Sequence, residues 1–479
     1  MSEARYQSPL GSRYASPAMQ MLWGDAHRAQ LWRRLWLALM EGQRELGLAV
    51  PEEAITELQR HLDDVDLTAV AQYERRFRHD VMAHIHALGD QAPAARPFIH
   101  LGATSAYVTD NADLIVIREG LRLILGRLVA LLRALATFAA RRADLPCLAY
   151  THFQPAQLTT VGKRATLWAQ DFAIDVEDVS ARIESLRFLG CKGTTGTQAS
   201  FLELFNGDHS KVLELDRRVA QRLGFDRVFP VSGQTYPRKT DSGVLDALSG
   251  VAQSAGKMSA DLRLLQHEGE LLEPFESEQI GSSAMAYKRN PMRAERVAGL
   301  ARFLISLQQN PAQTAASQWF ERTLDDSANR RLVLPEAFLS ADAILILATN
   351  IVAGLEVREA VITRNVNAQM PFMATERWLM LGVTAGGDRQ ELHEVIRQQS
   401  LVAAEAVSSG KPNQLLNQLA EHPAFARVPA ERLAGELDPG RYVGRATEQV
   451  GEFLRDYLEP LLTRAVRLAA TAPTEEVRV

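Results

Sequence analysis

The chain is short of several things that would have directed its reading elsewhere. Of its 479 residues only two, Cys147 and Cys191, are cysteines. That excludes a disulfide framework and a cysteine-built zinc site, and it suits a reduced compartment. The first residues, MSEARYQSPLGSRYASP, contain no apolar signal core. No apolar run approaches the ~20 residues of a membrane span. From these absences we expect a cytoplasmic protein. The net charge of −5, from 53 basic and 58 acidic residues, gives no global pull toward nucleic acid or an anionic membrane. Anion binding must therefore come from local clusters. No GxGxxG follows a strand and no HExxH occurs. The Gly193–Gly196 stretch lacks the ending of a phosphate loop. His84 and His86 stand two apart, where helix side chains do not face each other. No metal site and no cofactor are expected.

Strand-type alternation is nearly absent, and no proline occurs between residues 156 and 229. Between Asn111 and Ala143, Leu114, Ile117, Leu121, Ile124, Leu128, Leu131 and Leu135 recur at steps of three and four. That is a heptad-like seam. A second seam runs through Leu245, Leu248, Ala252, Ala255, Met258, Leu262 and Leu265, and a third apolar helix is expected over Leu332 to Leu355, with Pro335 near its start. Seams this long must bury against something, and a bundle does so, either continued across subunits, as we expect, or closed within a monomer. The ends of the chain read as shorter helices broken by proline and glycine. The expected organisation is an N-terminal helical domain over residues 1–104, a central long-helix bundle over 105–357, and a C-terminal helical domain over 358–479.

Four segments are polar where a bundle should be plain. GATSAYVTDN (102–111) precedes the first long helix. Capping by Thr109, Asp110 or Asn111 would account for one residue but not for Thr104-Ser105 behind a glycine. THFQPAQLTTVGKR (151–164) puts His152 beside Thr151 and Gln154 at the entrance of a second long helix. A histidine can be a satisfied structural group or a proton donor near neutral pH. GSSAMAYKRNPMRAER (281–296) is explained in part by Asn290 as N-cap and Pro291 as first helical residue. That cap leaves Gly281-Ser282-Ser283 and Lys288 over, in a loop able to bend over a ligand. WFERTLDDSANRR (319–331) reads either as a solvated charged face or as arginine forks suited to phosphate and carboxylate.

GATSAYVTDN, THFQPAQ and GSSAMAYKRNP resemble the three signature regions of the fumarase/aspartase superfamily. RHDVMAH, KGTTGTQASF, YKRNPMR and WFERTLDDSANRR bring the resemblance to the adenylosuccinate lyase family, in its animal-like branch, over nearly the whole chain. The resemblance implies an all-α, three-domain subunit and a homotetramer with active sites shared between subunits. It implies β-elimination of fumarate from adenylosuccinate, leaving AMP, and from the succinyl-carboxamide ribotide SAICAR, leaving AICAR, in purine nucleotide biosynthesis. Ser282 matches the general base and His152 the general acid. Glu295 matches the carboxylate that orients the histidine, and Lys288 and Asn290 the groups that hold the reacting carboxylates. Thr104, Ser105 and Thr151 lie alongside, and Gln234 matches a substrate-binding glutamine. Arg13, Tyr14, Arg78, His79, Asp80, Arg296, Arg322, Ser327 and Arg331 match nucleotide and phosphate contacts. A serine alkoxide needs stabilising, for which Lys288, loop amides and the nearby helix N-terminus are the expected sources.

Two alternatives stay open at this point. Another fumarate-releasing lyase, such as argininosuccinate lyase, shares the serine loop but has no phosphate to bind. A non-enzymatic scaffold, like the lens crystallins that resemble argininosuccinate lyase, would be free to lose His152, Ser282 or Lys288. One departure from the family pattern is Ala286, where proline is usual after the loop methionine; alanine loosens the open loop. Ala286→Pro is expected to raise hydrogen-exchange protection across the loop while leaving the activity in place, and unchanged protection would remove this account.

Overall fold

The structure is a computed structural model that describes residues 6–471, 475 and 477. Among these residues the architecture is all-α with two small two-stranded sheets. Five long helices make the body: α1 (Asp25–Glu45), α2 (Ser105–Arg141), α3 (Val161–Ser185), α4 (Lys239–His267) and, after α5 (Met292–Leu307), α6 (Asp325–Ala353). Helix α2 packs on α1, α3 and α6, and α4 packs on α3, α5 and α6. The seam read from the sequence is the core. Leu114, Ile117, Leu121, Ile124, Leu128, Leu131 and Leu135 are all fully buried, as are Leu245, Leu248, Ala252, Ala255 and Met258 on α4. This core runs from Met19 to Ala465, so the C-terminal end returns to the bundle. A second core, from Ala374 to Leu433, stands apart from it.

Helices α2 and α6 each contain an 18-residue window of mean hydropathy 1.8, long and apolar enough to match a membrane span by composition. This corrects the expectation drawn from uninterrupted apolar runs, which a single charge is enough to break. In the fold the two helices lie against each other and pair their buried charges. Arg127 Nε donates to Asp342 Oδ1 at 3.1 Å, and Asp342 Oδ2 accepts from the Ser16 amide at 2.7 Å.

Local chemistry moves several boundaries. Helix α2 begins at Ser105, not near Asn111, with Thr104 at the N-cap position but no side-chain cap. Thr109, Asp110 and Asn111 therefore cap nothing. Asn111 is fully buried. Its amide donates to the carbonyls of Tyr107 and Gly190, and its Oδ1 accepts from the amides of Leu189 and Gly190. Helix α6 begins at Asp325, seven residues before the apolar pattern suggests, and ends at Ala353 before Gly354. Asp325 and Asp326 in its first turn favour the positive end of the helix.

Strands are not absent either. Pro146–Thr151 (β1) and Gln154–Thr160 (β2) form an antiparallel hairpin. The turn between them is His152-Phe153, with φ of 52° and 59°. Positive φ at both central residues is the mark of a type I′ turn, whose twist matches the flanking strands. His152 thus sits on a hairpin tip rather than at the mouth of α3. The hairpin packs on α7 (Glu359–Met373).

The expected Asn290-Pro291 cap is also replaced. Helix α5 starts at Met292, and Asn290 Nδ2 instead donates to the Gly281 carbonyl at 2.7 Å. The first-turn amides of Arg293 and Ala294 donate to the Glu273 carboxylate at 2.9 and 3.0 Å. A carboxylate from 20 residues upstream does the capping, and it ties the two ends of the intervening loop together. Gln266 reinforces the tie. Its Nε2 donates to the Arg289 carbonyl at 2.9 Å, and its Oε1 accepts from the Glu273 amide at 3.2 Å.

Glu273→Ala leaves two buried amides without an acceptor. It is expected to cost about 1–3 kcal/mol in denaturant unfolding and to lower exchange protection between residues 281 and 296 first. A second expectation concerns Asp175 on α3, which is 3% exposed and whose Oδ2 has no hydrogen-bond partner among the described residues. Burial, with Asp178 and Asp171 nearby, pushes its pKa up to about 7 against the opposing hydrogen bond from Ser254. The folded chain keeps this proton to near pH 7, whereas the unfolded chain releases it near the ordinary value of 3.8. Stability from this group is full below that value and is lost as pH rises toward 7. Asp175→Asn should remove this decline, adding on the order of a few kcal/mol at pH 8 and little at pH 4 in chemical denaturation.

Candidate active site

The polar residues singled out from the sequence fall into separate groups within one chain. The largest gathers where α2, α4 and α6 begin. The helical hairpin of Leu67–Phe77 and Asp80–Gln91 brings Arg78, His79 and Asp80 there, with Arg78 in a left-handed conformation at φ 55°. His79 Nδ1 accepts from the Met82 amide at 3.3 Å, and its Nε2 lies 3.4 Å from Ser105 Oγ. That contact joins the hairpin to the start of α2, where Thr104 is the preceding residue. Arg331 of α6 donates to Asp80 Oδ2 at 3.0 Å. Gln234 Nε2 donates to the Thr194 carbonyl at 3.0 Å, and its amide donates to the Glu321 carbonyl at 2.9 Å. Gly233 has to be glycine here, because a Cβ would stand 2.5 Å from the Glu321 carbonyl oxygen. The 234 and 321 strands of chain are thereby laid side by side, and Arg322 and Ser327 follow directly.

Beneath this group lies a buried ionic network that inspection of the sequence did not identify. Arg238 donates to both oxygens of Asp110 at 2.9 and 3.1 Å and to Asp326 Oδ2 at 2.6 Å. Asp326 Oδ1 accepts from Arg322 at 2.9 Å. Arg330 pairs with Asp241 at 2.7 Å and Asp113 at 2.9 Å and donates to the Tyr236 hydroxyl. The Tyr236 hydroxyl in turn donates to Asp241 Oδ1 at 2.6 Å. Both guanidinium groups lie over the Tyr236 ring, at 4.5 and 5.2 Å from its centroid. Burial alone would raise the Asp326 carboxyl, but Arg238 and Arg322 hold it below the usual range. Burial raises Asp113, against Arg330. Acidic and basic residues about one helical turn apart at helix starts were the available signal, hidden because the same pattern describes a solvated face.

A second group is the serine loop, at the other end of α4. Ser282 Oγ accepts from the amides of Ala284 and Met285 at 3.3 and 3.1 Å. The Lys288 amide donates to the Met285 carbonyl at 3.1 Å, and Asn290 closes back on Gly281. A Cβ on Gly281 would lie 2.0 Å from the Lys288 carbonyl oxygen, so only glycine admits this closure. The loop is largely exposed, Lys288 and Tyr287 included. Contrary to expectation, the N-terminus of α5 is not available to a Ser282 alkoxide, because its amides are bound to Glu273.

Two smaller groups complete the set. The Arg296 guanidinium lies over the Tyr14 ring, 5.8 Å from its centroid, and burial lowers its pKa against the pull of Tyr14. Arg13 precedes Tyr14 in the helical turn Leu10–Tyr14, which packs on α6. Glu295 is exposed on the first turn of α5, and Thr151 and His152 are exposed at the tip of the β1–β2 hairpin. Among the described residues no hydrogen bond joins His152 to Glu295 or to Ser282. The distance from the first group to the serine loop follows from α4 itself. Arg238 lies at its start and Gln266, bonded beside the loop, near its end, so about 28 helical residues at ~1.5 Å each separate them by roughly 40 Å. Within one copy of this chain the two groups therefore stand at opposite ends of α4.

Known proteins share much of this sequence and this fold. A family model described as lyase matches residues 48–305, and one described as adenylosuccinate lyase C-terminus matches residues 371–453. Adenylosuccinate lyase of Saccharomyces cerevisiae is 50% identical over 454 residues, covering 94% of this chain and 94% of the yeast protein. That of Schizosaccharomyces pombe is 48% identical over 456 residues, at 94% of each. That of Schistosoma mansoni is 45% identical over 460 residues, covering 95% of this chain and 96% of its own. In fold, the chain is similar to the 3-carboxy-cis,cis-muconate lactonizing enzyme of Pseudomonas putida, with TM-score 0.81 and 24% identity over 97% of this chain and 100% of that one. It is also similar to a fumarate lyase of Mesorhizobium sp. BNC1, with TM-score 0.77 and 23% identity over 94% and 98%. With half its residues shared over nearly the full length of a curated relative, this chain belongs to the adenylosuccinate lyase family of the fumarase/aspartase superfamily.

Proposed function

We propose that the chain cleaves adenylosuccinate to AMP and fumarate, and SAICAR to AICAR and fumarate, in purine nucleotide biosynthesis. The observation that carries the reading is the 50% identity to adenylosuccinate lyase of Saccharomyces cerevisiae over 94% of both chains, and the state of Ser282, whose Oγ already accepts two backbone N–H bonds, supports it. Such donors favour the alkoxide over the alcohol and make a weak base usable. In the reaction, Ser282 removes the proton from the carbon beside a succinyl carboxylate. Negative charge builds up on that carboxylate, where Lys288 and Asn290 meet it. The carbon–nitrogen bond then breaks, its electron pair stays on nitrogen, and His152 supplies the proton, oriented by Glu295. Fumarate and the amino nucleotide leave. Thr104, Ser105 and Thr151 serve the carboxylates and Gln234 the substrate. Arg13, Tyr14, Arg78, His79, Asp80, Arg296, Arg322, Ser327 and Arg331 serve the nucleotide and its phosphate. The adenylosuccinate lyase C-terminus match favours this reading over argininosuccinate lyase.

We further propose a homotetramer, in a cytoplasmic setting, whose active sites combine groups from different copies. The separation of roughly 40 Å along α4 supports this, since a nucleotide cannot span it. So do the apolar side chains the long helices leave exposed in one copy, among them Leu167, Ile174, Leu264 and Leu332.

The test is turnover of adenylosuccinate, followed by the ultraviolet change as AMP forms. Ser282→Ala and His152→Ala are each expected to lower kcat by roughly 10²–10⁴-fold with small changes in KM. Unfolding and refolding Ser282→Ala together with a defective His79→Ala variant should restore part of the activity, because the length of α4 keeps these two groups apart in one copy and some mixed sites then hold both native residues. No activity in a folded wild type would refute the reaction, and no recovery on mixing would refute the shared site.

A further inference from the structure

Asp326 is 1% exposed, and both of its oxygens are engaged. Oδ2 accepts from Arg238 at 2.6 Å, and Oδ1 accepts from Arg322 at 2.9 Å. Arg238 is itself 4% exposed and is clamped by the Asp110 carboxylate on α2. Arg322 is different. It lies at the surface, its side chain a quarter exposed, and Asp326 is its only ion-pair partner among the described residues. An arginine side chain alone carries much rotational freedom, and most of its donors remain for something else. Asp326 removes that freedom from below, and Asp326 has no freedom of its own because Arg238 and Asp110 hold it. The chain of contacts Asp110–Arg238–Asp326–Arg322 runs from the interior of α2 to the surface beside Gln234.

We propose that Asp326 is a positioning residue for the reaction, aiming the Arg322 guanidinium at an anionic group of the substrate through its buried bond to Arg238. The proposal rests on the reading of Arg322 as a nucleotide or phosphate contact. Its physical content is preorganisation, because an arginine fixed before binding loses less entropy when the anion arrives. The signature of such a residue is weaker binding with a smaller effect on the chemical step. The two residues should also be coupled, since Asp326 acts through Arg322.

The experiment compares Arg322→Gln, Asp326→Asn and the double variant in the full-length enzyme. It reads KM and kcat for adenylosuccinate, the inhibition constant of AMP, and the thermal midpoint. Asp326→Asn is expected to raise KM and the AMP inhibition constant by about tenfold, with kcat changed less. The double variant should bind no more weakly than Arg322→Gln alone. Folded Asp326→Asn with unchanged KM and inhibition constant overturns the proposal, and so does a double variant whose losses multiply. If Arg322→Gln alone leaves both constants unchanged, the reading of Arg322 fails, and the proposal falls with it for that separate reason. If Asp326→Asn does not fold, Asp326→Glu keeps the charge opposite Arg238 and displaces the carboxylate by one methylene. The same binding pattern is then expected, and unchanged constants overturn the proposal.

Discussion

The constraint on which the rest of this structure depends is the charge buried where α2, α4 and α6 begin. Arg238 and Arg330 are 4% and 7% exposed, and Asp110, Asp241 and Asp326 are at most 2% exposed. Taking such ions out of water costs several kcal/mol each, and only close pairing with all hydrogen-bond sites used offsets it. Here the offset is close to complete. Arg238 meets both oxygens of Asp110 and one of Asp326, and Arg330 meets Asp241, Asp113 and the Tyr236 hydroxyl. Replacing these ions by apolar groups of equal volume is often neutral or stabilising in proteins. The arrangement is better understood as geometric. Six charged side chains from α2, the 236–241 segment and α6 have one mutual position in which every charge is paired, and that position sets three helix starts against each other.

The surface above inherits this placement. Thr104 and Ser105 lie one to two turns from Asp110, Gln234 four residues from Arg238, and Arg322 and Ser327 on either side of Asp326. A bundle held only by its leucine seams allows small axial slips, because apolar contact is non-directional. Paired charges do not allow them. The seams supply the bulk of burial, and the network fixes the register in which the polar residues above it stand.

The seams were legible because apolar residues at steps of three and four, sustained over three heptads, mark a buried helix face and little else. Nearly every seam residue on α2 and α4 is fully buried. The start of α6 was not legible. Its first turns carry DDSANRR, which looks like a solvated loop until Asp326 and Arg330 are seen to be buried partners of residues 85 to 90 positions away. The hairpin at residues 146–160 was missed because its side chains are mostly exposed and show little alternation, while His152 and Phe153 lack the glycine or asparagine of an ordinary type I′ turn. The cap of α5 was misplaced because Asn290-Pro291 satisfies every local rule for a helix start. The acceptor that wins, Glu273, is brought in by the fold, and local pattern carries no information about it. The candidate site residues came from resemblance, and their distribution over distant parts of one chain is not carried by any local pattern.

That misplaced cap changes the account of the base. An unoccupied α5 N-terminus would offer roughly half a positive charge next to the loop. With Glu273 bonded to the Arg293 and Ala294 amides, that charge is largely answered before any substrate arrives. Stabilisation of a Ser282 alkoxide then falls to the Ala284 and Met285 amides and to the Lys288 ammonium. The amides are local to the serine and move with it, so the loop can travel without losing them. Lys288 is exposed and has no ion-pair partner among the described residues, so its charge counts for little while water surrounds it. Its effect grows only when closure or a neighbouring copy removes that water. Under the proposed role of Ser282 as base, the two amides would hold it ready in the exposed loop, and the lysine would complete its activation once the site is covered.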